Sequence, residues 1–178
     1  MPSAQTARRT LDLPSSPDRY SVRRLGPADS PAILDHFRRL DAEASYHRFF
    51  GAVSDHALSA YVGGFDWSRQ IVLGAERDGC LCALSEIGWS GTPEGSSGEF
   101  AVSVDAAARH LGIAGWLLDA VSAAAAAEGL RTLEGNWLAE NYPVYRLMRR
   151  RGAAIRQSGS TMTGLIALSP SGALATQA

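Results

Sequence analysis

The stretch of residues 98–120 constrains the fold more tightly than any other part of this sequence. Its first half alternates large apolar residues with small or polar ones as far as Val104, which is the period-two pattern of a strand. Its second half, from Ile113 onward, carries apolar residues at the spacing of a buried helical face. The turn between them, residues 109–114, contains a glycine and leaves backbone N–H groups unpaired at the helix N-terminus. Because the helix dipole adds to these groups, the stretch predicts a site for a phosphate-bearing ligand.

The composition indicates one soluble domain without nucleic acid or membrane partners. The chain has 178 residues, of which 46% are hydrophobic and 20% are charged, and its net charge is −1. Its two cysteines, Cys80 and Cys82, stand two apart on one predicted strand, where a disulfide fits poorly. We therefore expect a reducing, cytoplasmic location. No apolar run reaches membrane-spanning length.

Both ends of the chain differ from its middle in composition. Residues 1–18 are rich in Ser, Pro and polar side chains and lack the apolar segment of a signal peptide, so they predict a flexible N-terminal arm. Residues 169–178 predict a flexible tail for the same reason. Residues 19–168 are expected to form a single domain.

Within that domain the pattern predicts the order β-α-α-β-β-β-α-β-α-β-β. Ser54 has the features of a helix N-cap, and Asp78-Gly79 those of a tight hairpin turn. Residues 41–53 are predicted as a further helical turn or a loop. This order favours an α/β fold with a mixed sheet of about seven strands and helices on its faces.

The turn carries the residues Arg109-x-x-Gly112-x-Ala114, followed by a long helix, a strand and a helix that opens at Asn141. In this setting the sequence resembles the GNAT superfamily of N-acetyltransferases, whose signature is Q/R-x-x-G-x-G/A. Two further segments, residues 45–50 and 98–102, are similar to the acyltransferase domain of bacterial protein-lysine acetyltransferases. The resemblance implies the acyl-CoA N-acyltransferase fold, in which the fourth and fifth strands splay apart.

The resemblance also implies acetyl-CoA as co-substrate. The turn would bind the pyrophosphate, and the free edge of the fourth strand would pair with the pantetheine arm. An N–H group near residues 101–103 would stabilise the oxyanion formed at the thioester carbonyl. The residues that it assigns to the cofactor are Ala101, Val102, Ser103, Val104, Arg109, His110, Leu111, Gly112, Ile113, Ala114, Gly115 and Asn141.

Glu99 stands at the position of the family's catalytic glutamate. An amine must be neutral to attack, and a free lysine has a pKa near 10.4, so a base beside the acetyl group is useful. The competing interpretation is a solvated strand glutamate. The family's acid, a tyrosine seven residues after the asparagine, is Met148 here. Tyr145 remains a candidate acid, alongside departure of CoA as thiolate or its protonation through water.

Other polar residues receive structural interpretations. The four histidines lack ligand spacing, so no metal site is expected and they are predicted on the surface or in loops. Arg48 is expected to pair with a carboxylate such as Asp41. One of the three arginines of residues 149–151 is a candidate contact for the 3′-phosphate. Trp137 is predicted to line the acceptor pocket.

These observations predict transfer of acetyl from acetyl-CoA to a primary amine by direct attack in a ternary complex. A protein lysine is the first candidate acceptor and a small-molecule amine is the second. A non-catalytic CoA-binding sensor module is the alternative from another class. The absence of the Gly-x4-Gly-Lys-Ser/Thr pattern disfavours a nucleoside triphosphate enzyme. A homodimer is expected by family analogy.

Overall fold

The computed structural model describes residues 9–12 and 19–169, and within these residues eight strands form one sheet. The strands are β1 (Arg9–Asp12), β2 (Arg19–Arg24), β3 (Gln70–Arg77), β4 (Cys80–Gly88), β5 (Ser97–Val104), β6 (Thr132–Leu138), β7 (Ala154–Ser158) and β8 (Thr161–Ala167). The helices are α1 (Ser30–Arg39), α2 (Ala42–Phe49), α3 (Asp55–Gly63), α4 (Ile113–Ala127) and α5 (Tyr142–Arg150). Short 3₁₀ turns lie at Pro27–Asp29 and Ala106–Ala108.

The sheet has the order β1-β2-β3-β4-β5-β6-β8-β7. The β5–β6 pair is parallel and its neighbours are antiparallel, so the predicted mixed sheet is confirmed. Strand β1 was not foreseen, because Arg9–Asp12 fell in the predicted flexible arm and instead pairs with β2. The rest of that arm, and the tail from residue 170 onward, lie outside the described residues.

Local signals in the sequence fix several element boundaries. The Ser54 hydroxyl accepts a hydrogen bond from the Ala57 N–H at 3.2 Å, which caps α3 as predicted. The hairpin residues Asp78 and Gly79 both have positive φ, at 52° and 78°, which matches the twist of the flanking strands. The segment predicted as a helical turn or loop contains helix α2, and Asp41 caps it through the Ala44 N–H at 2.8 Å.

The core lies on both faces of the sheet. Strands β3 and β4 each contain an uninterrupted run of buried residues, which is typical of strands covered on both sides. Helix α4 packs on one face, where Leu117 and Val121 join a cluster with Ile71 of β3. Helices α1 and α3 cover the other face around Phe37 and Val72. Among the described residues, none of the helices combines the length and apolarity that crossing a membrane requires.

The parallel β5–β6 pair opens halfway along its length. Residues 97–100 of β5 pair with residues 132–135 of β6. Beyond that point β5 continues against β4 alone, and β6 continues against β8. This is the predicted splay between the fourth and fifth strands, which are β5 and β6 once β1 is counted. Among the described residues, it leaves one edge of residues 101–104 free of a strand partner.

Candidate functional site

A cleft of about 920 Å³ fills the opening between β5 and β6. Its walls are helix α2, the free half of β5, the turn that leads into α4, the end of β6 and one side of α5. All of the residues predicted to contact the cofactor line this cleft except Leu111, which packs against the core instead. Glu99 also lines it. The structure therefore brings together residues from five separate parts of the chain around one strand edge.

The turn that leads into α4 has the geometry of an anion site. Gly112 is the N-cap residue with a φ of 80°, a left-handed conformation that favours glycine. The first helical hydrogen bond runs from the Trp116 N–H to the Gly112 carbonyl at 3.1 Å. The N–H groups before it point out of the helix end, as at any helix N-terminus. A Cβ at Gly112 would meet no atom of the described chain within 4 Å, so the space in front of this turn is open.

Cationic side chains surround the α4 end of the cleft. Arg146 and Arg150 of α5 line it with exposed side chains. Arg151 also lines it, but donates to Asp119 at 2.7 Å and to the Gly115 carbonyl at 3.2 Å. The hydrogen bonding of Arg151 to Asp119 raises the pKa of Arg151 above its usual value. Arg149 instead lies over the ring of Tyr145, with its Cζ 5.7 Å from the ring centroid.

Arg109 is held by Asp41, with which it forms an ion pair. The hydrogen bond from the Ala44 N–H lowers the pKa of Asp41 below its usual value, and the hydrogen bond from Arg109 lowers it further. The prediction that Arg48 pairs with a carboxylate is confirmed, but the partner is Glu86 and not Asp41. Asp41 forms its ion pair with Arg109, and Glu86 forms its ion pair with Arg48.

Tyr145, the candidate acid, does not line the cleft. It is partly buried against the core, one helical turn from Asn141. Met148, at the position of the family's tyrosine, is fully buried, and its Cε would lie 2.9 Å from a Cβ at Gly135. Neither Tyr145 nor Met148 lines the cleft. Asn141 lines the cleft, and its Oδ1 accepts from the Val144 N–H at 3.3 Å as the cap of α5.

A second cavity of about 940 Å³ meets the cleft at Glu99. Both cavities are lined by Arg48, Phe50, Glu99 and Ala101, so they share a boundary at the middle of β5. Phe50 stands there with a φ of 59° and an exposed ring. The second cavity extends from this boundary along β4 and the start of β6.

Two carboxylates face each other in the second cavity. Glu99 and Glu134 are directly opposite in the β5–β6 register, and both line this cavity. Glu134 accepts from Asn136 Nδ2 at 3.1 Å, and neither carboxylate has a Lys or Arg partner in the described part of the chain. The sequence analysis missed Glu134, because its place beside Glu99 depends on the register of two strands. Trp137, predicted to line the acceptor pocket, is buried and lines the first cleft and not the second cavity.

A polar network around the buried Arg48–Glu86 pair forms the wall of the second cavity. Glu86 accepts hydrogen bonds from Tyr61 Oη and Gln70 Nε2, each at 2.9 Å, and pairs with Arg48. The Arg48 guanidinium also stacks against Phe37, Phe49 and Tyr61. Burial raises the pKa of Tyr61 to about 12. For Arg48, burial alone would lower the pKa, but Glu86 and Tyr61 raise it above its usual value.

His36 corrects the prediction that all four histidines lie on the surface or in loops. Its side chain is completely buried beneath β5. The ring Nε2 lies 2.8 Å from the Ser103 hydroxyl, and Nδ1 lies 2.9 Å from Asp105 Oδ1. In the described residues, no group of three or more His, Cys, Asp or Glu side chains is arranged to hold a metal ion.

The sequence matches no family model and no curated protein. Solved structures with the same fold are found. The GNAT domain of Streptomyces lividans PAT has a TM-score of 0.78 at 20% identity, covering 94% of this chain and 99% of that one. An N-acetyltransferase from Staphylococcus aureus Mu50 has a TM-score of 0.66 at 19% identity, covering 84% and 99%.

A cAMP-binding acyltransferase from Mycobacterium smegmatis has a TM-score of 0.65 at 18% identity. The match covers 97% of this chain and 50% of that protein, so the chain spans about half its length. All three are acyltransferases or GNAT domains, and their identities are low enough that the likeness concerns architecture. Together with the parallel, splayed β5–β6 pair, these neighbours confirm the predicted resemblance at the level of structure: the chain has the GNAT fold.

Proposed function

We propose that this chain transfers an acetyl group from acetyl-CoA to a primary amine. The observation that carries the proposal is the position of Glu99, at the boundary between a cation-lined cleft and an acidic cavity. The two substrates of such a transfer differ in charge, since CoA is anionic and a primary amine is cationic at neutral pH. A carboxylate that borders both compartments can act on the amine where it meets the thioester.

The cleft suits CoA in three respects. The turn into α4 offers N–H groups and open space for a pyrophosphate. Arg146 and Arg150 add positive charge beside it. The unpaired edge of residues 101–104 offers backbone donors and acceptors to the amide-rich pantetheine arm. These three features come from different elements, and all of them border the same cleft.

Glu99 would take a proton from the incoming ammonium, directly or through water. The neutral nitrogen then bonds to the thioester carbonyl carbon, the C–S bond breaks, and the nitrogen gives up its second proton to water. A backbone N–H of residues 101–103 would stabilise the oxyanion between these events. Because Tyr145 lies away from the cleft, CoA would leave as thiolate or take its proton from water.

The second cavity favours a cationic acceptor, and a protein lysine is the first candidate. Like charges placed directly opposite each other in a sheet destabilise it, so Glu99 and Glu134 gain when an ammonium lies near both. Aromatic rings of Phe50, Tyr61 and Trp89 line the same cavity and suit the apolar stem of a lysine side chain. A small-molecule amine with an apolar stem would satisfy the same surfaces.

Replacing Glu134 with glutamine should raise the KM for a lysine peptide about 5- to 10-fold, since one charged contact is worth about 1 kcal/mol or more. The KM for acetyl-CoA should not change. CoA release, measured with lysine peptides and a panel of small primary amines, tests this and identifies the better acceptor class. Glu140→Gln is the matched control, because it removes the same charge from an exposed glutamate that lines neither cavity.

This assay also tests the proposed function itself. Turnover of at least one amine by the wild-type protein supports acetyl transfer. Binding of acetyl-CoA without turnover of any peptide or amine would favour the alternative, a CoA-binding module. That alternative is supported by the position of Tyr145, which leaves the cleft without the tyrosine acid of the family.

Replacing Gly112 with alanine should weaken CoA binding about 10-fold. The new Cβ would occupy the open space in front of the turn and would keep the pyrophosphate from the backbone. The left-handed φ of 80° adds a destabilisation of about 1 kcal/mol. Gly91→Ala separates the two effects, because Gly91 has a φ of 75° and open space but lies outside the cleft. Calorimetric titration with CoA should show the loss in Gly112→Ala and not in Gly91→Ala.

A further inference from the structure

The end of strand β5 is tied to helix α1 through a buried imidazole that the proposed chemistry does not use. His36 has 0% of its surface exposed and Ser103 has 6%. His36 Nε2 shares a hydrogen bond with Ser103 Oγ at 2.8 Å, and Nδ1 lies 2.9 Å from Asp105 Oδ1 without hydrogen-bond alignment. The three side chains therefore connect α1 to the end of β5 and to Asp105, the residue that follows the strand.

A polar group at this position is unfavourable in itself. The neighbours of His36 on α1, Ile33 and Phe37, are buried apolar residues, so the helix face would accept an apolar side chain. Burying an imidazole and a hydroxyl is costly unless they bond to each other or to another polar group. The pair gives this stretch of β5 a directional contact that an apolar side chain could not provide.

That contact lies where β5 is no longer paired with β6. Residues 101–104 are held on one edge by β4 and, in the part of the chain that the structure describes, have no strand on the other, because pairing with β6 ends at residue 135. Arg39 of α1 adds a second tie, donating to the Leu81 carbonyl of β4 at 2.6 Å and to Asp105 at 3.4 Å. Helix α1 thus holds the end of β5 on the side of the strand opposite to Val102 and Val104, which pack against the α4 cluster.

We propose that His36 is a positioning residue that, through Ser103, fixes the free half of β5 in the conformation that binds the pantetheine arm. The order of Asp105, His36 and Ser103 is also that of a nucleophilic triad. The geometry excludes that role, because the imidazole is fully buried and the Ser103 hydroxyl is directed at it, beneath the strand. The part of the proposal that concerns pantetheine rests on the proposed function.

The Ser103→Ala variant removes the contact with the smallest change in volume. Ser85→Ala is the matched control, since Ser85 lies on β4, is fully buried and has no hydrogen-bond partner for its hydroxyl among the described residues. Hydrogen exchange of the amides of residues 101–104 should rise about 5- to 10-fold in Ser103→Ala, the effect of losing one net hydrogen bond. Exchange of strand β3 should stay unchanged in both variants.

Ligand binding provides the readout that a general loss of packing would not produce. Ser103→Ala should bind CoA about 5- to 10-fold more weakly, while 3′,5′-ADP, which lacks pantetheine, should bind as it does to the wild type. His36→Gln, whose terminal amide reaches the place of Nε2, should keep most of the wild-type exchange protection. His36→Asn, whose amide reaches the place of Nδ1, should behave like Ser103→Ala.

Equal exchange rates in Ser103→Ala, Ser85→Ala and the wild type would overturn the proposal, and so would an equal loss of affinity for CoA and for 3′,5′-ADP. Neither measurement requires acetyl transfer. If no amine is acetylated but the predicted differences are found, the proposed function fails and the positioning role stands. If the wild type acetylates amines and the differences are absent, the positioning role fails alone.

Discussion

Replacing Glu99 with glutamine is expected to lower the rate of acetyl transfer about 100- to 1,000-fold, within the range that general base catalysis contributes. The amide keeps the shape and hydrogen-bonding capacity of the side chain but cannot take a proton from the ammonium. Glu99 lies on the face of β5 opposite to Phe100 and has no cationic partner in the described chain, so the fold should tolerate the change. Calorimetric titration should show that acetyl-CoA binds with unchanged affinity.

The pH dependence of the Glu99→Gln variant gives an independent check. Without a base, the reactive neutral amine must come from solution, and its fraction rises tenfold per pH unit below the lysine pKa of about 10.4. The deficit relative to wild type should therefore narrow as pH increases. Glu134→Gln serves as the comparison, since it should raise the acceptor KM and leave kcat nearly unchanged. Retention of wild-type kcat at pH 7 by Glu99→Gln would show that Glu99 is not the base.

The geometry of the proposed cofactor side could be predicted because its determinants are local in sequence. The turn signature, the glycine at a left-handed N-cap and the helix that follows all fall within residues 109–127. Alternation along residues 99–104 also gave the correct faces of β5, with Phe100 and Val102 packed on the α4 cluster. A local pattern of this kind depends on backbone geometry that few residues can adopt.

The acceptor side could not be predicted because its contacts join residues far apart in sequence. Arg48 and Glu86 are 38 positions apart. The support of the free half of β5 depends on an equally distant contact, because His36 and Ser103 are 67 positions apart. Glu134 lies beside Glu99 through the register of a parallel pair, which no spacing along the chain reveals. Tyr145 illustrates the same difficulty, since a shift of one helical position decides whether a side chain on α5 lines the cleft or the core.

Strand β1 shows how tertiary pairing can override composition. Arg9–Asp12 has little of the β-branched or aromatic character of a strand, and it lies in a segment rich in polar residues and proline. Its side chains do not favour a strand, but its backbone gains hydrogen bonds by pairing with the edge of β2. Edge pairing of this kind depends on an available strand, which the sequence of the segment itself does not indicate.

Replacing Arg48 with methionine is expected to lower the free energy of unfolding by about 3–5 kcal/mol, because it leaves Glu86 as a buried charge without its cation. The side chains of Arg48 and Glu86 are only 10% and 5% exposed. Methionine keeps much of the apolar contact with Phe37 and Phe49, so the loss should come mainly from charge. Urea denaturation followed by circular dichroism, with an unchanged m-value, measures it.

Arg38→Met is the matched control, because Arg38 also forms an ion pair, with Asp55, but the two side chains are 42% and 64% exposed. An exposed pair contributes little to stability, because water and salt screen its charges. Adding Glu86→Leu to Arg48→Met should recover part of the stability, since both charges are then removed together. A loss in Arg48→Met no larger than in Arg38→Met would contradict the assignment. Because α2 carries Arg48 and contacts both β5 and β6, a confirmed loss would identify this pair as the anchor of the helix that borders Glu99.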